Sequence, residues 1–355
     1  MARSSAHGRA SVLIIAGGRG TRFWPASREA RPKPLFSIDG NTSLLADAIA
    51  RHVPLIPRER IFVLAAAAHQ VPFRRALRGL IPARNLIIEP QARGTAVAIA
   101  YGSAFIKRRL GDGIIAAVAA DHYIPSAAQY RRTLTDAIGL ADTHDSIVAI
   151  GIPPTHPETG YGYQKIGAKV GAGFRIEKFV EKPPLATAQR MVRSGRYLWN
   201  ASMFVVSTQT LAKEFSAHSP TLGIAAQQLA RTPRTKLAHV YSRLRYDSFD
   251  RVIMEKSANV LGVRARFSWH DVGSWDGLWQ AVSGADGNVI RGDAIALDSE
   301  RVLAYPHSRL MVLFGVTDLI VVDTGDALLV AHRERSPQVG QVTAELERRG
   351  LQRYL

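Results

Sequence analysis

The feature that most constrains this chain is a series of short, unbroken apolar runs spaced by amphipathic stretches. In order they are "SVLIIA", "IFVLAAA", "NLIIEP", "GIIAAVAADH" and "SIVAIGI". Between them lie "SLLADAIARHV", "VPFRRALRGL", "TAVAIAYGSAFIKRR" and "AAQYRRTLTDAIGLADTH", with apolar positions at helical spacing. Strands that are apolar on both faces and alternate with helices predict a parallel sheet covered on both sides. Ligands of such sheets bind beyond the carboxyl ends of the strands, where Gly17, Glu89 and Asp121 lie. Asn41 or Thr42 is expected to cap the first full helix.

The pattern changes at "PPTHPETGYGYQKIG". Strands such as "FRIEKFVEKP" and "NASMFVV" then mix with helices, as in a lobe added to one side of the sheet. From Asn288 the chain turns β-rich: "NVIRGDAIALD", "RVLAYP", "LMVLFGV", "DLIVVDT" and "ALLVAH", punctuated by Gly and Asp and closed by the helical "VTAELERRG". The expected fold class is α/β: a mixed, mainly parallel, Rossmann-like sheet flanked by helices, with a small β region at the carboxyl end. The expected boundaries are a frayed tail over 1–10, a catalytic domain over 11–285 and the β region with its closing helix over 286–355.

Composition narrows the function classes. With no cysteine among 355 residues, disulfide scaffolds and cysteine-ligated metal centres are excluded, and a reducing cytoplasm is the expected location. No apolar run approaches the ~20 residues that a membrane-spanning helix needs, and the opening "MARSSAHGRA" has no signal-peptide pattern. The net charge of +17 favours anionic partners. The arginines are spread rather than blocked, and no nucleic-acid-binding motif is present, so nucleic acid and membrane are not expected partners.

The first loop, "AGGRGTRFWPASREARPKP", is rich in glycine and basic residues directly behind a strand. Glycines let backbone N–H groups approach a phosphate, and the cations add charge. Gly17, Gly18, Gly20, Arg22 and Lys33 fit that use, although a solvated surface loop would look the same. Two familiar phosphate loops are excluded: no GK is followed by Ser or Thr, and the third glycine of G-x-G-x-x-G is replaced by Phe23.

Beyond this loop, the ordered blocks "AGGRGTRFWPASREARPKPLF", "EPQARGTAVAIA", "AADHYI", "GIPPTHPETGYGY", "FVEKP", "WNASMFVV", "FDRVIMEK" and "WHDVGSWDGLW" together resemble the sugar-1-phosphate nucleotidyltransferases, specifically the mannose-1-phosphate guanylyltransferases. The long form of that family carries a cupin-like isomerase domain. This chain is too short to hold one and is similar to the short form.

The resemblance implies attack by the phosphate of mannose 1-phosphate on the α-phosphorus of GTP, giving GDP-mannose and pyrophosphate, with Mg²⁺ as cofactor. The nucleophile has a second pKa of about 6, so it is ionised near neutrality and no general base is required. The resemblance further implies that Ala16, Gly17, Gly18, Gly20, Thr21, Arg22, Lys33, Glu89, Arg93, Gly94, Thr95 and Asp121 bind the nucleotide. Arg22 and Lys33 would face the departing pyrophosphate. Lys33 stands between Pro32 and Pro34, which restrict its backbone. Asp121 and Asp271 would share one Mg²⁺, in keeping with that ion's use of carboxylates plus substrate oxygens. Each could instead cap a turn. Tyr161, Gly162, Glu181, Lys182 and Asn200 would hold the sugar phosphate. Adjacent strand residues face opposite ways, so a bend before Pro183 is needed for both Glu181 and Lys182 to meet one ligand.

Arg22, Lys33, Asp121 and Lys182 are therefore the candidate catalytic residues. His122 and His270 are weaker candidates, since a lone histidine is more often packed and Mg²⁺ prefers oxygen. Trp199, Trp269, Trp275 and Trp279 are expected to pack. The family block has Asn where this chain has Gly94, and Pro where it has Val97, so the base stays open between guanine and another. The alternatives are the same chemistry with another nucleotide or hexose 1-phosphate, or a non-catalytic regulatory homologue. The β tail resembles the family's small β-helical region, left-handed in type. Its unpaired edges predict a homodimer.

Overall fold

The structure is a computed structural model that describes residues 8–18, 20–38, 40–284 and 287–355. Residues 1–7 of the expected tail, and the expected boundary at 285/286, lie outside the described residues. Ala10, assigned to that tail, already pairs with Ile114 inside the first strand.

The apolar runs form the strands β1 (Ala10–Ile15), β2 (Ile61–Ala66), β3 (Leu86–Glu89), β4 (Ile114–Ala119), β5 (His122–Tyr123) and β6 (Ile147–Ile152). The added lobe supplies β7 (Tyr163–Val170), β8 (Gly173–Val180), β9 (Tyr197–Ser207), β10 (Val260–Arg264) and β11 (His270–Asp271). Nine strands make one sheet in the order β3-β2-β1-β4-β9-β6-β10-β8-β7. The β3-β2-β1-β4 half is parallel. Beyond it the sheet is mixed: β9 runs antiparallel to both β4 and β6, and β10 is parallel to β6 but antiparallel to β8.

Helices α1 (Leu44–His52), α2 (Gln70–Ala76), α3 (Thr95–Leu110), α4 (Ala127–Thr143), α5 (Leu185–Arg193), α6 (Thr208–His218), α7 (Pro220–Arg231) and α8 (Arg234–Ser242) flank it, while α9 (Trp275–Val282) packs with the carboxyl region. Two apolar clusters fill the two faces. One is built on Val12, Ile14, Tyr130 and Leu134, the other on Leu13, Phe62, Ile99 and Phe249. α1 is capped by Ser43, whose hydroxyl accepts from the Ala46 N–H at 3.2 Å, rather than by Asn41 or Thr42. The start-of-helix signal was sound, but several hydroxyl and amide residues in a row left its register open.

The carboxyl region stacks short strands in parallel: β12 (Val289–Ile290), β14 (Leu303–Tyr305) and β16 (Leu319–Asp323), with β17 (Leu328–His332) antiparallel at the edge. Beside them β13 (Ala294–Leu297) and β15 (Met311–Phe314) pair in parallel. Helix α10 (Gly340–Arg348) follows. This region does not stand apart. Val289, Leu303, Ile320 and Val322 share one core with Phe23, Phe36 and Trp275.

Candidate functional site

The basic loop leaves β1 at Ile15, and the Ala16 N–H donates to the Leu64 carbonyl at 2.8 Å. Two short turns, Thr21–Phe23 and Lys33–Leu35, then present the cations. Phe23 is the loop's anchor: its ring lies 4.8 Å from that of Trp275 and 5.8 Å from that of Phe36, and Phe36 meets Tyr305 at 5.3 Å. The Trp275 indole donates to the Trp24 carbonyl at 3.0 Å, and the Trp24 indole donates to the Tyr354 carbonyl at 2.8 Å. The loop is thus bolted from behind to the carboxyl region.

Its front lines a cavity of about 290 Å³ with Ala16, Gly18, Gly20, Thr21, Arg22, Lys33, Asp121 and Gly273. The Lys33 ammonium donates to the Asp121 carboxylate at 2.6 Å and stands 5.3 Å from the Phe23 ring centre. Burial pushes the Asp121 pKa up, but the Lys33 and His122 charges and the hydrogen bond from Lys33 together outweigh it and hold the carboxyl below its usual range.

Asp121 and Asp271, far apart in sequence, meet through the two-stranded pairing of β5 with β11, where Asp271 sits opposite His122 and His270 opposite Tyr123. Both carboxylates line one cavity of about 430 Å³. Among the described residues no cluster of three or more His, Cys, Asp or Glu is arranged to hold a metal. A cation here would draw its remaining ligands from substrate, and the oxygen-only pair fits Mg²⁺ on those terms. His122 is buried against Trp269, with ring centres 5.2 Å apart. Burial lowers its pKa, and its Nδ1 has no partner among the described residues.

Tyr161, Gly162, Glu181, Lys182 and Asn200, the residues expected at the sugar phosphate, line the same cavity. The bend needed at Glu181–Lys182 is there: Lys182 has φ 47°, and its N–H donates to the Tyr161 carbonyl at 3.2 Å. Glu181 and Lys182 consequently face the same space, with Nζ 3.4 Å from Oε1. The Asn200 N–H donates to the Gly162 carbonyl at 2.8 Å, and its side-chain amide donates to Asp250 Oδ1 at 2.7 Å. Asp250 was not singled out by sequence reading, although it lies in the "FDRVIMEK" block. It is buried in the cavity wall, and burial together with the neighbouring Glu181 charge raises its pKa to about 7. Tyr161 is wedged between Trp199 and Trp269, with ring centres at 5.4 and 5.2 Å. Trp279 packs under the Arg333 guanidinium at 3.5 Å.

Gly17, Gly18, Glu89, Gly94 and Thr95, expected at the nucleotide, are also in the wall. A Cβ on Gly17 would stand 2.6 Å from Glu89 Oε1, so glycine is what lets this carboxyl approach the loop. Glu89 Oε2 accepts from the Tyr241 hydroxyl at 2.8 Å, and burial raises its pKa to about 7. Arg93 departs from expectation. Its guanidinium donates to the Ser242 carbonyl at 3.0 Å, and it does not line the cavity. At a helix entrance the backbone direction decides where a long side chain goes, and sequence does not report that direction. Tyr246 and Ser248, which sequence reading passed over, line the cavity instead.

The sequence and the fold both match known proteins. The nucleotidyl transferase family matches residues 11–286, and the mannose-phosphate isomerase/GMP-like β-helix domain matches residues 292–346. The xanthan biosynthesis protein XanB of Xanthomonas campestris pv. campestris (strain B100) is 37% identical over 347 residues, spanning 95% of this chain and 73% of that protein. A mannose-1-phosphate guanylyltransferase of Escherichia coli (strain K12) is 34% identical over 354 residues, spanning 95% and 73%. The crystal structure described as a mannose-1-phosphate geranyltransferase from Thermus thermophilus superposes with a TM-score of 0.87 at 34% identity, over 96% of this chain and 99% of that one.

Proposed function

Since the chain belongs to the mannose-1-phosphate guanylyltransferase family of nucleotidyl transferases, we propose that it transfers GMP from GTP to mannose 1-phosphate. A sugar-phosphate oxygen bonds to the α-phosphorus, the bond from that phosphorus to the β-phosphate oxygen breaks, and pyrophosphate leaves with the electron pair. The observation that carries this reading is the placement of Asp121 and Gly18 in the walls of both cavities. One cavity holds Arg22 and Lys33, fit for a departing pyrophosphate. The other holds Glu181, Lys182 and Asn200, fit for a sugar phosphate.

Work on such a reaction is electrostatic: two anions must approach, and charge must be met on the leaving group. Arg22 and Lys33 supply fixed cations at the leaving side, while Lys182 holds the sugar phosphate and Glu181 and Asn200 read its hydroxyls. Asp121 and Asp271 are the residues to hold Mg²⁺, which when bound supplies positive charge to the reacting phosphates. No side chain has to move a proton. A cysteine-free chain suits the cytoplasm, where we place the reaction. Among the described residues no helix is long and apolar enough to cross a membrane. A homodimer forms through the paired strands β13 and β15 in this reading, because Ile295, Leu297, Val312 and Phe314 are all exposed on them.

The test is pyrophosphate release with Mg²⁺, mannose 1-phosphate and each nucleoside triphosphate in turn. GTP is expected to give the fastest turnover. Turnover with UTP or dTTP and none with GTP would overturn the guanylyl assignment while leaving the reaction class intact.

A further inference from the structure

Gly94 has φ +86°, and a Cβ built there would stand 2.1 Å from the Asp247 carbonyl oxygen and 2.8 Å from its carbon. No side chain can be accommodated without moving that backbone. The position is therefore not an empty version of the family's Asn. It is occupied by another segment of this chain. That segment is tied down at three points: Asp247 N–H donates to the Arg93 carbonyl at 3.2 Å, Ala96 N–H to the Asp247 carbonyl at 3.3 Å, and Phe249 N–H to Thr95 Oγ1 at 2.9 Å.

The docked segment brings Tyr246 and Ser248 into the cavity wall beside Gly17, Glu89 and Gly94. Tyr246 is 68% exposed, an aromatic ring held at the mouth of a polar site rather than in the core. The other rings lining this cavity, Tyr161, Trp269 and the His122 imidazole, pack together, Trp269 against both of the others. The remaining apolar lining is the small or aliphatic Ile15, Ala92, Ala98 and Ala119. A nucleobase needs a flat apolar surface for its π-face, and Tyr246 offers one.

Resting on the nucleotidyl-transfer reading above, we infer that the Tyr246–Ser248 segment, admitted by Gly94, is the base-binding wall of this enzyme, with the Tyr246 ring stacking on the base. In this chain, base affinity comes from the segment that crosses Gly94 and not from a side chain at that position.

Calorimetric binding of GTP and of inorganic tripolyphosphate, which has no base, tests this. Tyr246→Ala should weaken GTP roughly 5- to 150-fold, the range that one base–aromatic stack corresponds to, and leave tripolyphosphate unchanged. Tyr246→Phe should bind both like the parent protein. Gly94→Ala, which must displace Asp247, should also weaken GTP more than tripolyphosphate. The inference is overturned if Tyr246→Ala binds GTP as the parent does, or loses GTP and tripolyphosphate in parallel. If the parent protein prefers UTP, the guanylyl assignment fails. The stacking role is then decided by the same comparison made with UTP.

Discussion

Replacing Lys33 by Met would test the loop's two duties at once. The ammonium is 2.6 Å from the Asp121 carboxylate, and the two side chains are 7% and 30% exposed. Removing one partner of a buried ion pair costs about 3–5 kcal/mol, because the other charge is left without compensation. Asp121 keeps some contact with water, so part of that cost is recovered and about 2 kcal/mol is expected. Met preserves the aliphatic stem against Phe23, which confines the change to the charge. The urea midpoint in metal-free buffer should drop accordingly, and Lys33→Met/Asp121→Asn should recover most of the loss, since the orphaned carboxylate is gone. In turnover the variant should lose roughly 10²–10³-fold in kcat, the size expected for one preorganised group that meets developing charge. Two results would refute the reasoning: a double variant no more stable than the single one, or a kcat unchanged by the loss of the ammonium.

Two further outcomes follow from the same structure. Burial raises Glu89 from 4.5, and Asp250 from 3.8, to about 7. The unfolded chain therefore ionises first, and their contribution to stability is full below about pH 4 and lost as pH rises to about 7. The loss is roughly 3 kcal/mol for Glu89 alone. Glu89→Gln should flatten that slope in pH-resolved urea titrations, and an unchanged slope would contradict the buried-acid assignment. On the β13/β15 face, Val312→Lys together with Phe314→Lys should convert a dimer to a monomer by light scattering. A parent protein that is already monomeric at micromolar concentration would dismiss that interface.

The parallel half of the sheet was legible because its strands are apolar on both faces, and their carboxyl ends pointed to Gly17, Glu89 and Asp121. The mixed half was less so. β9 inserts between β4 and β6 although it comes later in the chain, and strand order across a sheet is a tertiary fact that local periodicity does not encode. The site splits in the same way. Residues in glycine-rich or strand-end motifs reached one or the other of the two cavities, and Lys182, whose need for a bend could be stated in advance, reached the larger. Arg93 did not, because its direction depends on the turn at Gly94. Asp250 and Tyr246 carried no signal of a cavity role: an acid next to an arginine, even inside the "FDRVIMEK" block, and a tyrosine in a basic loop look like packing or surface until the chain is folded.

The aromatic bolt behind the first loop has a consequence for how the molecule would fail on heating. Phe23, Trp24 and Phe36 belong to the same core as Leu303, Ile320 and Val322, while the main sheet has cores of its own. This core is smaller than either core of the main sheet and has less buried surface to lose, so partial opening is expected to begin there before the sheet gives way. Such an opening would slacken the first loop while the sheet remained intact. The working lifetime of the enzyme would then be set by this core rather than by those of the sheet, and a substitution at Tyr305, which lines neither cavity, could shorten that lifetime without touching any residue that does.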